Sequence, residues 1–297
     1  MIDKLEMLIA LSRERHFGRA AEACHVTQPT LSSAIKSLEE QLGAQLVVRG
    51  ARFIGLTPEG QRVLARAKAI VAEARAMRSD LAVAREGLSG TLRLGVIPTA
   101  LASVHELTRP FLAQHPGVRM RILSATSHEI LDRLADFEID AGLSYATADQ
   151  AHDKLPGFQT LPLYDESYAL VTRATPGLPK TMDWSEVGRF ELGLLTPDMQ
   201  NRRIIDRHLA RAGITVAPRI EANSIVVLVG HVAEGHVEQG QAATILPTRA
   251  ATFFAETRGL ANIPLTGGQI GTSKVAFILP PVGRRTLLLD AFVRSLT

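Results

Sequence analysis

Cysteine is almost missing from this chain: Cys24 stands alone among 297 residues. That excludes an intrachain disulfide and a cysteine-rich zinc site, and it fits a reducing compartment. Long apolar runs are missing too. None reaches the roughly 18 residues of a membrane span, and Met1-Ile2-Asp3-Lys4-Leu5-Glu6 puts acids where a secretory leader would be apolar. The expectation is a cytoplasmic protein with no leader and no membrane contact. There is no G-x-S-x-G elbow, P-loop, HExxH or glycine fingerprint after a strand, so catalysis lacks a nucleophile and no cofactor is expected. His231, Glu234 and His236 form the one metal-like cluster, but their spacing does not set both histidines on one helix face and Gly235 weakens the helix. No metal site is expected.

A strong charge of one sign is lacking as well, since the net charge is only +3. Its distribution is more informative. The first 87 residues hold 13 Lys and Arg against 10 Asp and Glu, while the remainder holds 20 of each. The excess therefore sits in the first third, which favours a polyanion-binding head on a neutral body. With 46% apolar and 21% charged residues the chain can bury sizeable cores, and its length suggests two or three domains.

The first sixty residues read as short helices with tight joints. Leu5, Leu8, Ile9 and Leu11 give one apolar face from Asp3 to Arg15, which His16-Phe17-Gly18 interrupts. Arg19 to Cys24, rich in alanine, makes a second short helix that can pack closely, with Cys24 packed between helices, a redox sensor being the competing reading. Thr27 can cap a third helix that tolerates Pro29 in its first turn and faces Leu31, Ile35, Leu38 and Leu42 inward. Its other face carries Gln28, Thr30, Ser32, Ser33, Lys36 and Ser37. Small hydrogen-bonding side chains at the N-terminal end of a second helix are what entry into a major groove requires. Gln28 can pair with adenine, Thr27, Pro29 and Thr30 can meet a thymine methyl, Ser32 and Ser33 can donate or accept, and Arg19 and Lys36 can neutralise phosphates. An ordinary helical hairpin with a solvated face has the same spacing. Residues 43 to 57 hold two β-like runs around Gly50, with Arg49 and Arg52 at the tip, either a wing that reaches the DNA backbone or minor groove or a solvated turn.

From Pro58 to Leu88 the residues Val63, Ala67, Ile70, Ala74, Met77, Leu81, Ala84 and Leu88 recur at alternating steps of four and three. This heptad seam predicts a helix of about thirty residues that pairs with a second copy, the competing reading being a core helix. Leu88-Ser89-Gly90 is a hinge. Beyond it helix-like and strand-like stretches alternate, which predicts α/β layers with largely parallel sheets and clefts beyond the strand C-termini. Thr99, Thr126, Ser127 and Thr196 place hydroxyls at helix starts after strands, where free N–H groups and a positive dipole suit a small anion. As helix caps alone they would look the same.

The run Arg19-Ala20-Ala21-Glu22, then Val26-Thr27-Gln28-Pro29-Thr30-Leu31-Ser32, Leu38-Glu39-Glu40-Gln41-Leu42-Gly43 and Leu56-Thr57-Pro58-Glu59-Gly60 resembles the winged helix of LysR-type transcriptional regulators. The body resembles that family more loosely through Thr91-Leu92-Arg93-Leu94-Gly95, His115-Pro116, Asp140-Ala141-Gly142-Leu143 and Val237 to Ala242. The resemblance implies an α/β protein with an N-terminal all-α winged helix-turn-helix (1–58), a long linker helix (59–88) and a C-terminal effector domain (91–297). That domain would be two-lobed, Rossmann-like and similar to periplasmic binding proteins, with lobe I at 91–161 and 265–297 and lobe II at 162–264. The resemblance favours the cleft reading for Thr99 and Thr196, which match places where the family contacts inducers, and with Thr126 and Ser127 from the helix-start argument they are the expected residues for a small-molecule, anionic effector. Double-stranded operator DNA, a homo-oligomer (a dimer through the linker helix and then a tetramer) and RNA polymerase are the partners it implies. A cytoplasmic small-molecule-binding protein or enzyme with an N-terminal dimerisation module is the rival, and DNA retention by residues 1–60 separates the two.

Overall fold

Leucines at steps of three, Leu5, Leu8 and Leu11, form the buried stripe of α1 (Ile2–Glu14), which Arg15 ends in a left-handed conformation. In the computed structural model, residues 1–48, 53–146, 155–234, 242–267 and 273–296 are described. Contacts divide the chain into one unit of Met1–Leu88 with Arg284–Asp290 and another of Ser89–Gly283 with Ala291–Thr297.

In the first unit, α2 (Phe17–Ala23) begins two residues before the expected start. The reason is its cap: His16 Nδ1 accepts from the backbone N–H of Gly18 at 3.1 Å and of Arg19 at 3.3 Å, so Phe17-Gly18 opens this helix rather than breaking the first. Ala20 and Ala21 are fully covered by the neighbouring helices. The turn into α3 (Gln28–Leu42) puts His25 in the left-handed region at φ 55°, and Val26 N–H closes back on the Ala21 carbonyl. Leu31, Ile35 and Leu38 are buried as expected, whereas Leu42 stands largely in solvent because the last turn of α3 extends past the core.

After α3 the Glu39 carboxylate accepts from the N–H groups of Leu46 and Val47, which ties the next segment to the helix. Val47 and Leu56 form one antiparallel bridge where two β-like runs were expected. Arg49 and Arg52 lie outside the described residues. Helix α4 (Pro58–Glu86) starts at Thr57, whose hydroxyl accepts from Gly60 N–H at 2.9 Å.

The heptad seam of α4 is divided. Ala67 is buried with Val71 in the core of the helix-turn-helix, and Val63 packs against it. These two seam positions are thus covered within the chain itself, a correction to the single continuous seam. Ile70, Met77 and Leu81 remain 49%, 59% and 55% exposed, with Ala74 half-buried between them.

The second unit holds two sheets. The first runs β2-β1-β3-β11-β4, from β1 (Gly90–Val96), β2 (Val118–Ser124), β3 (Ala141–Tyr145), β4 (Gln159–Glu166) and β11 (Ser273–Leu279). The second runs β6-β10-β5-β9-β7-β8, from β5 (Tyr168–Arg173), β6 (Met182–Asp183), β7 (Glu191–Leu195), β8 (Ile220–Ala222), β9 (Ala242–Pro247) and β10 (Leu260–Thr266). Both are mixed rather than largely parallel. β1 is parallel to β2 and β3, but β11 is antiparallel to β3 and β4, and β5 to β9 and β10. The antiparallel strands are those that carry the chain between sheets. Leu161-Pro162-Leu163, expected as the crossing, lies inside edge strand β4, and the first sheet is left only after Glu166.

Helices cover these sheets: α5 (Val104–Gln114), α6 (Ser127–Ala135), α7 (Gln200–Arg211), α8 (Ile225–Glu234), α9 (Thr248–Arg258) and α10 (Leu287–Arg294). Of these, α6 packs closely on β3. A Cβ on Gly142 would fall 2.3 Å from Ile130 Cγ2, so glycine there lets Ile130 sit flat on β3 and brings the N-terminus of α6 to the strand ends.

Candidate DNA-reading face and effector pocket

On α3 the residues Gln28, Pro29, Thr30, Ser32, Ser33 and Lys36 are all exposed, and steps of one, three and four put them on one continuous face. Thr27, also exposed, is engaged as the cap: its Oγ1 accepts from Thr30 N–H and shares a 2.8 Å bond with Thr30 Oγ1. Lys36 Nζ stands 3.9 Å from Glu40 on an exposed i,i+4 pair, which is weak enough to leave it available to a phosphate. Arg19 donates one N–H to the Glu14 carbonyl at 2.7 Å and stands 4.0 Å from the Glu14 carboxylate, with its side chain otherwise exposed. The structure thus brings together all the expected base-facing residues outside the wing.

The second site lies where β1, β3 and β7 end. Ile97, Pro98, Thr99, Thr126, Ser127, Tyr145, Leu195, Met199, Gln200 and Asn201 line a small pocket that is partly open to solvent. Three of the four expected effector residues line it. Thr99, 3% exposed, shares a 3.4 Å bond with Tyr145 Oη. Thr126 is held in a capping box, its Oγ1 accepting from Glu129 N–H while Glu129 accepts from its backbone N–H at 2.8 Å. Ser127 Oγ is buried and has no hydrogen-bond partner.

Thr196 is the exception, because it does not line the pocket. A turn over Thr196–Met199, closed by Met199 N–H on the Thr196 carbonyl, delays the start of α7 to Gln200 and makes Met199 the capping position. The pocket therefore receives Gln200 and Asn201, which sequence reasoning missed along with Tyr145. No motif marks them; only strand ends and helix starts converging in space bring them together. Met199 offers no side-chain cap, so the N-terminal N–H groups of α7 keep their dipole for a ligand.

Asn201 is 3% exposed, and its Nδ2 donates to Tyr145 Oη at 3.0 Å, while its Oδ1 has no partner. Arg202, next in the chain, is buried and fixes this end of α7. Its guanidinium donates to the Leu195 carbonyl at 2.7 Å, to Asp206 at 2.8 Å and to Glu221. Among the described residues, no Lys, Arg or His lines the pocket. Behind Tyr145 lies Glu166, whose carboxyl burial pushes up to about 7, with the Tyr145 and Tyr168 hydroxyls pulling it down.

A polar helix face joined to a two-sheet body with a pocket at its strand ends defines a DNA-binding regulator that senses a small molecule. Comparison with known proteins supports this class. The profile of the bacterial regulatory helix-turn-helix protein, lysR family, matches residues 2–61, and that of the LysR substrate binding domain matches residues 85–297. The chain belongs to the LysR family of transcriptional regulators, with an N-terminal DNA-binding domain and a C-terminal effector-binding domain. It is similar to a probable hydrogen peroxide-inducible genes activator of Streptomyces viridosporus, 32% identical over 291 residues, 96% of this chain and 86% of that one. A protein of the same description from Mycobacterium xenopi is 35% identical over 176 residues, 59% of this chain and 89% of the relative. Among solved structures, a full-length OxyR variant from Pseudomonas aeruginosa matches with a TM-score of 0.74 at 24% identity, covering 100% of this chain and 94% of that one. CbnR, a LysR family transcriptional regulator, matches at 0.69 and 21%, covering 100% and 98%. These last two likenesses are likenesses of fold. No helix among the described residues is long and apolar enough to cross a membrane.

Proposed function

We propose that this regulator binds a small monocarboxylate in the pocket at Ser127 and Asn201 and that this ligand controls its hold on an operator. The observation that carries the reading is a buried hydroxyl of the pocket lining, Ser127 Oγ, that no protein group satisfies and that can donate to a carboxylate; the neighbouring Asn201 amide offers a second donor when its oxygen and nitrogen exchange places, its oxygen then accepting from Tyr145. An unpaired buried polar group costs free energy that a ligand with matching atoms recovers. With no cation among the described lining residues, one negative charge is as much as the hydroxyls and the uncapped end of α7 can hold. The apolar remainder, Ile97, Pro98, Leu195 and Met199, suits a short hydrocarbon tail.

The relatives named for hydrogen peroxide raise a second ligand, which the composition argues against. Reversible peroxide sensing through sulfenic acid and a disulfide needs cysteine thiolates, and the effector domain contains no cysteine. Cys24 lies in the helix-turn-helix, where burial and the Glu6 carboxylate push its thiol up and keep it protonated. A non-covalent ligand is the consistent reading.

Operator reading falls to Gln28, Pro29, Thr30, Ser32 and Ser33, with phosphates met by Arg19, Lys36 and, from the wing, Arg49 and Arg52. Ile70, Met77 and Leu81 on α4 pair two copies. A tetramer built through the effector domains, a contact with RNA polymerase and a cytoplasmic setting complete the proposal. A ligand acts on DNA only by binding two arrangements of the protein with different affinities, so occupancy and operator affinity must be measured together. Titration of a selected operator duplex with full-length protein, with and without butyrate at saturation, tests the reading. A change in operator affinity or footprint supports it, and identical binding curves with butyrate shown to be bound remove the control.

A further inference from the structure

Helix α2 begins on an uncommon cap. Serine, threonine, aspartate and asparagine are the usual residues there, and each turns its one short side chain to the helix. His16 does the same work with Nδ1, which accepts from the backbone N–H of Gly18 at 3.1 Å and of Arg19 at 3.3 Å. It brings a second nitrogen that capping does not use. A ring nitrogen that accepts carries a lone pair and no hydrogen, so the N–H of this imidazole is at Nε2. Nε2 lies across the ring from Nδ1 and so points away from the capped turn. His16 is exposed, and among the described residues Nε2 has no partner. The cap therefore fixes a donor, its tautomer and its direction at once.

Gly18 shows where this donor stands. A Cβ on Gly18 would lie 3.1 Å from His16 Cε1, the carbon bonded to Nε2, and 3.6 Å from Gln28 Oε1. The imidazole and the Gln28 amide thus flank one small space, the first at the start of α2 and the second at the start of α3. In a helix-turn-helix the second helix enters the major groove while the first crosses the sugar-phosphate backbone. A donor on the first helix, beside the first base-reading side chain of the second, meets the strand that borders the groove. One N–H on a ring held by two backbone bonds suits a phosphate oxygen, and it lacks the paired bonds that tell one base edge from another. Because the cap already immobilises the ring, little side-chain freedom is lost when the phosphate arrives.

We infer that His16 is a further DNA-contact residue, which donates from Nε2 to a backbone phosphate of the operator next to the base that Gln28 reads. The inference rests on the reading of α3 as the helix in the groove. It gives His16 a part in affinity and none in sequence choice, since a phosphate is the same on every duplex.

Fluorescence anisotropy of full-length protein on a selected operator and on random DNA tests this. His16→Ser keeps a capping oxygen and removes the far nitrogen. Its thermal unfolding should stay close to that of wild type, while affinity should fall at least about tenfold on both duplexes. His16→Asn, also a strong cap, should behave alike and carries the test if the serine variant does not fold. Operators that each carry one methylphosphonate in place of a phosphate then locate the contact. One such duplex should weaken wild type and leave His16→Ser unaffected, the non-additivity expected of groups that touch. Either capping variant with wild-type DNA affinity would make His16 a cap alone. Losses that add at every phosphate, or a loss confined to the operator, would equally overturn the contact. Gln28→Ala on the same duplexes keeps the two claims apart: equal loss on both removes the base contact of α3, and the phosphate series alone then decides the part played by His16.

Discussion

Asn201 Nδ2 meets Tyr145 Oη at 3.0 Å, and this bond joins the first turn of α7 to the last residue of β3. One residue comes from the second sheet's layer and the other from the first, so the bond spans the two lobes at the pocket. Any ligand that engages Asn201 also acts on this link. That is a physical route by which occupancy could bias two lobe arrangements.

The reading face of α3 predicts a split between two kinds of DNA. Gln28→Ala should lose about 1 to 3 kcal/mol on the selected operator while leaving salt-dependent binding to random DNA nearly intact. Fluorescence anisotropy on both duplexes measures this. Equal loss on both would take Gln28 out of the base-reading set.

Dimerisation should depend on the exposed half of the α4 seam. Ile70→Asp with Met77→Asp puts two charges where a second helix is expected to pack, and light scattering should then show a lower mass. Ala67→Ser, by contrast, alters a position already buried by the chain's own helices, so it should cost stability and leave the mass unchanged. An unchanged mass for the double variant would remove α4 as the interface.

Pocket hydroxyls should separate by their partners. Ser127→Ala removes an unpartnered pocket donor and should weaken butyrate binding by about 1 kcal/mol. Thr196→Val removes a buried, unpartnered hydroxyl away from the lining, so it should leave binding alone and be neutral or stabilising in thermal unfolding. The reverse pattern by calorimetry would move the site toward Thr196.

Glu166 also makes a stability prediction with a definite sign. Burial raises its folded pKa to about 7, above the ordinary 4.5, so the folded state holds the proton longer than the unfolded state does. Stability from this group is therefore full below about pH 4.5 and falls as pH rises to about 7, for a total on the order of 3 kcal/mol. Glu166→Gln should unfold at a higher temperature than wild type at pH 8, and the gap should close toward pH 5. A gap that is constant across pH would show that Glu166 is not the titrating group.

Gly60 should tolerate no side chain. A Cβ there would lie 2.0 Å from the Leu46 carbonyl oxygen, a backbone atom that cannot swing aside. Gly60→Ala should destabilise the DNA-binding unit by at least about 1 to 3 kcal/mol in chemical unfolding. Wild-type stability would mean that α4 and the backbone at Leu46 sit further apart.

Much of this architecture is legible in the order of residues because local rules agree with one another. Thr27 and Thr57 cap helices where their spacing says they should, and Ala141–Tyr145 and Glu191–Leu195 are strands with the expected bounds. The departures have local causes. His16 caps α2 with a ring nitrogen, and His25 takes a left-handed turn usually left to glycine, so neither announces itself. The seam of α4 misleads because a heptad pattern records which residues are apolar but not which neighbour covers them. Val63 and Ala67 answer to the chain's own helices. The pocket was legible in Thr99, Thr126 and Ser127, which follow strands directly. Tyr145 and Asn201 become a pair only when two sheets meet, a contact between residues 56 positions apart.

The most direct test is a crystal structure of the full-length protein grown with butyrate. The account predicts density for the carboxylate within hydrogen-bond distance of Ser127 Oγ and Asn201 Nδ2, with the hydrocarbon tail against Ile97, Leu195 and Met199. Butyrate found elsewhere on the chain, or an empty pocket under conditions where calorimetry shows binding, would contradict it.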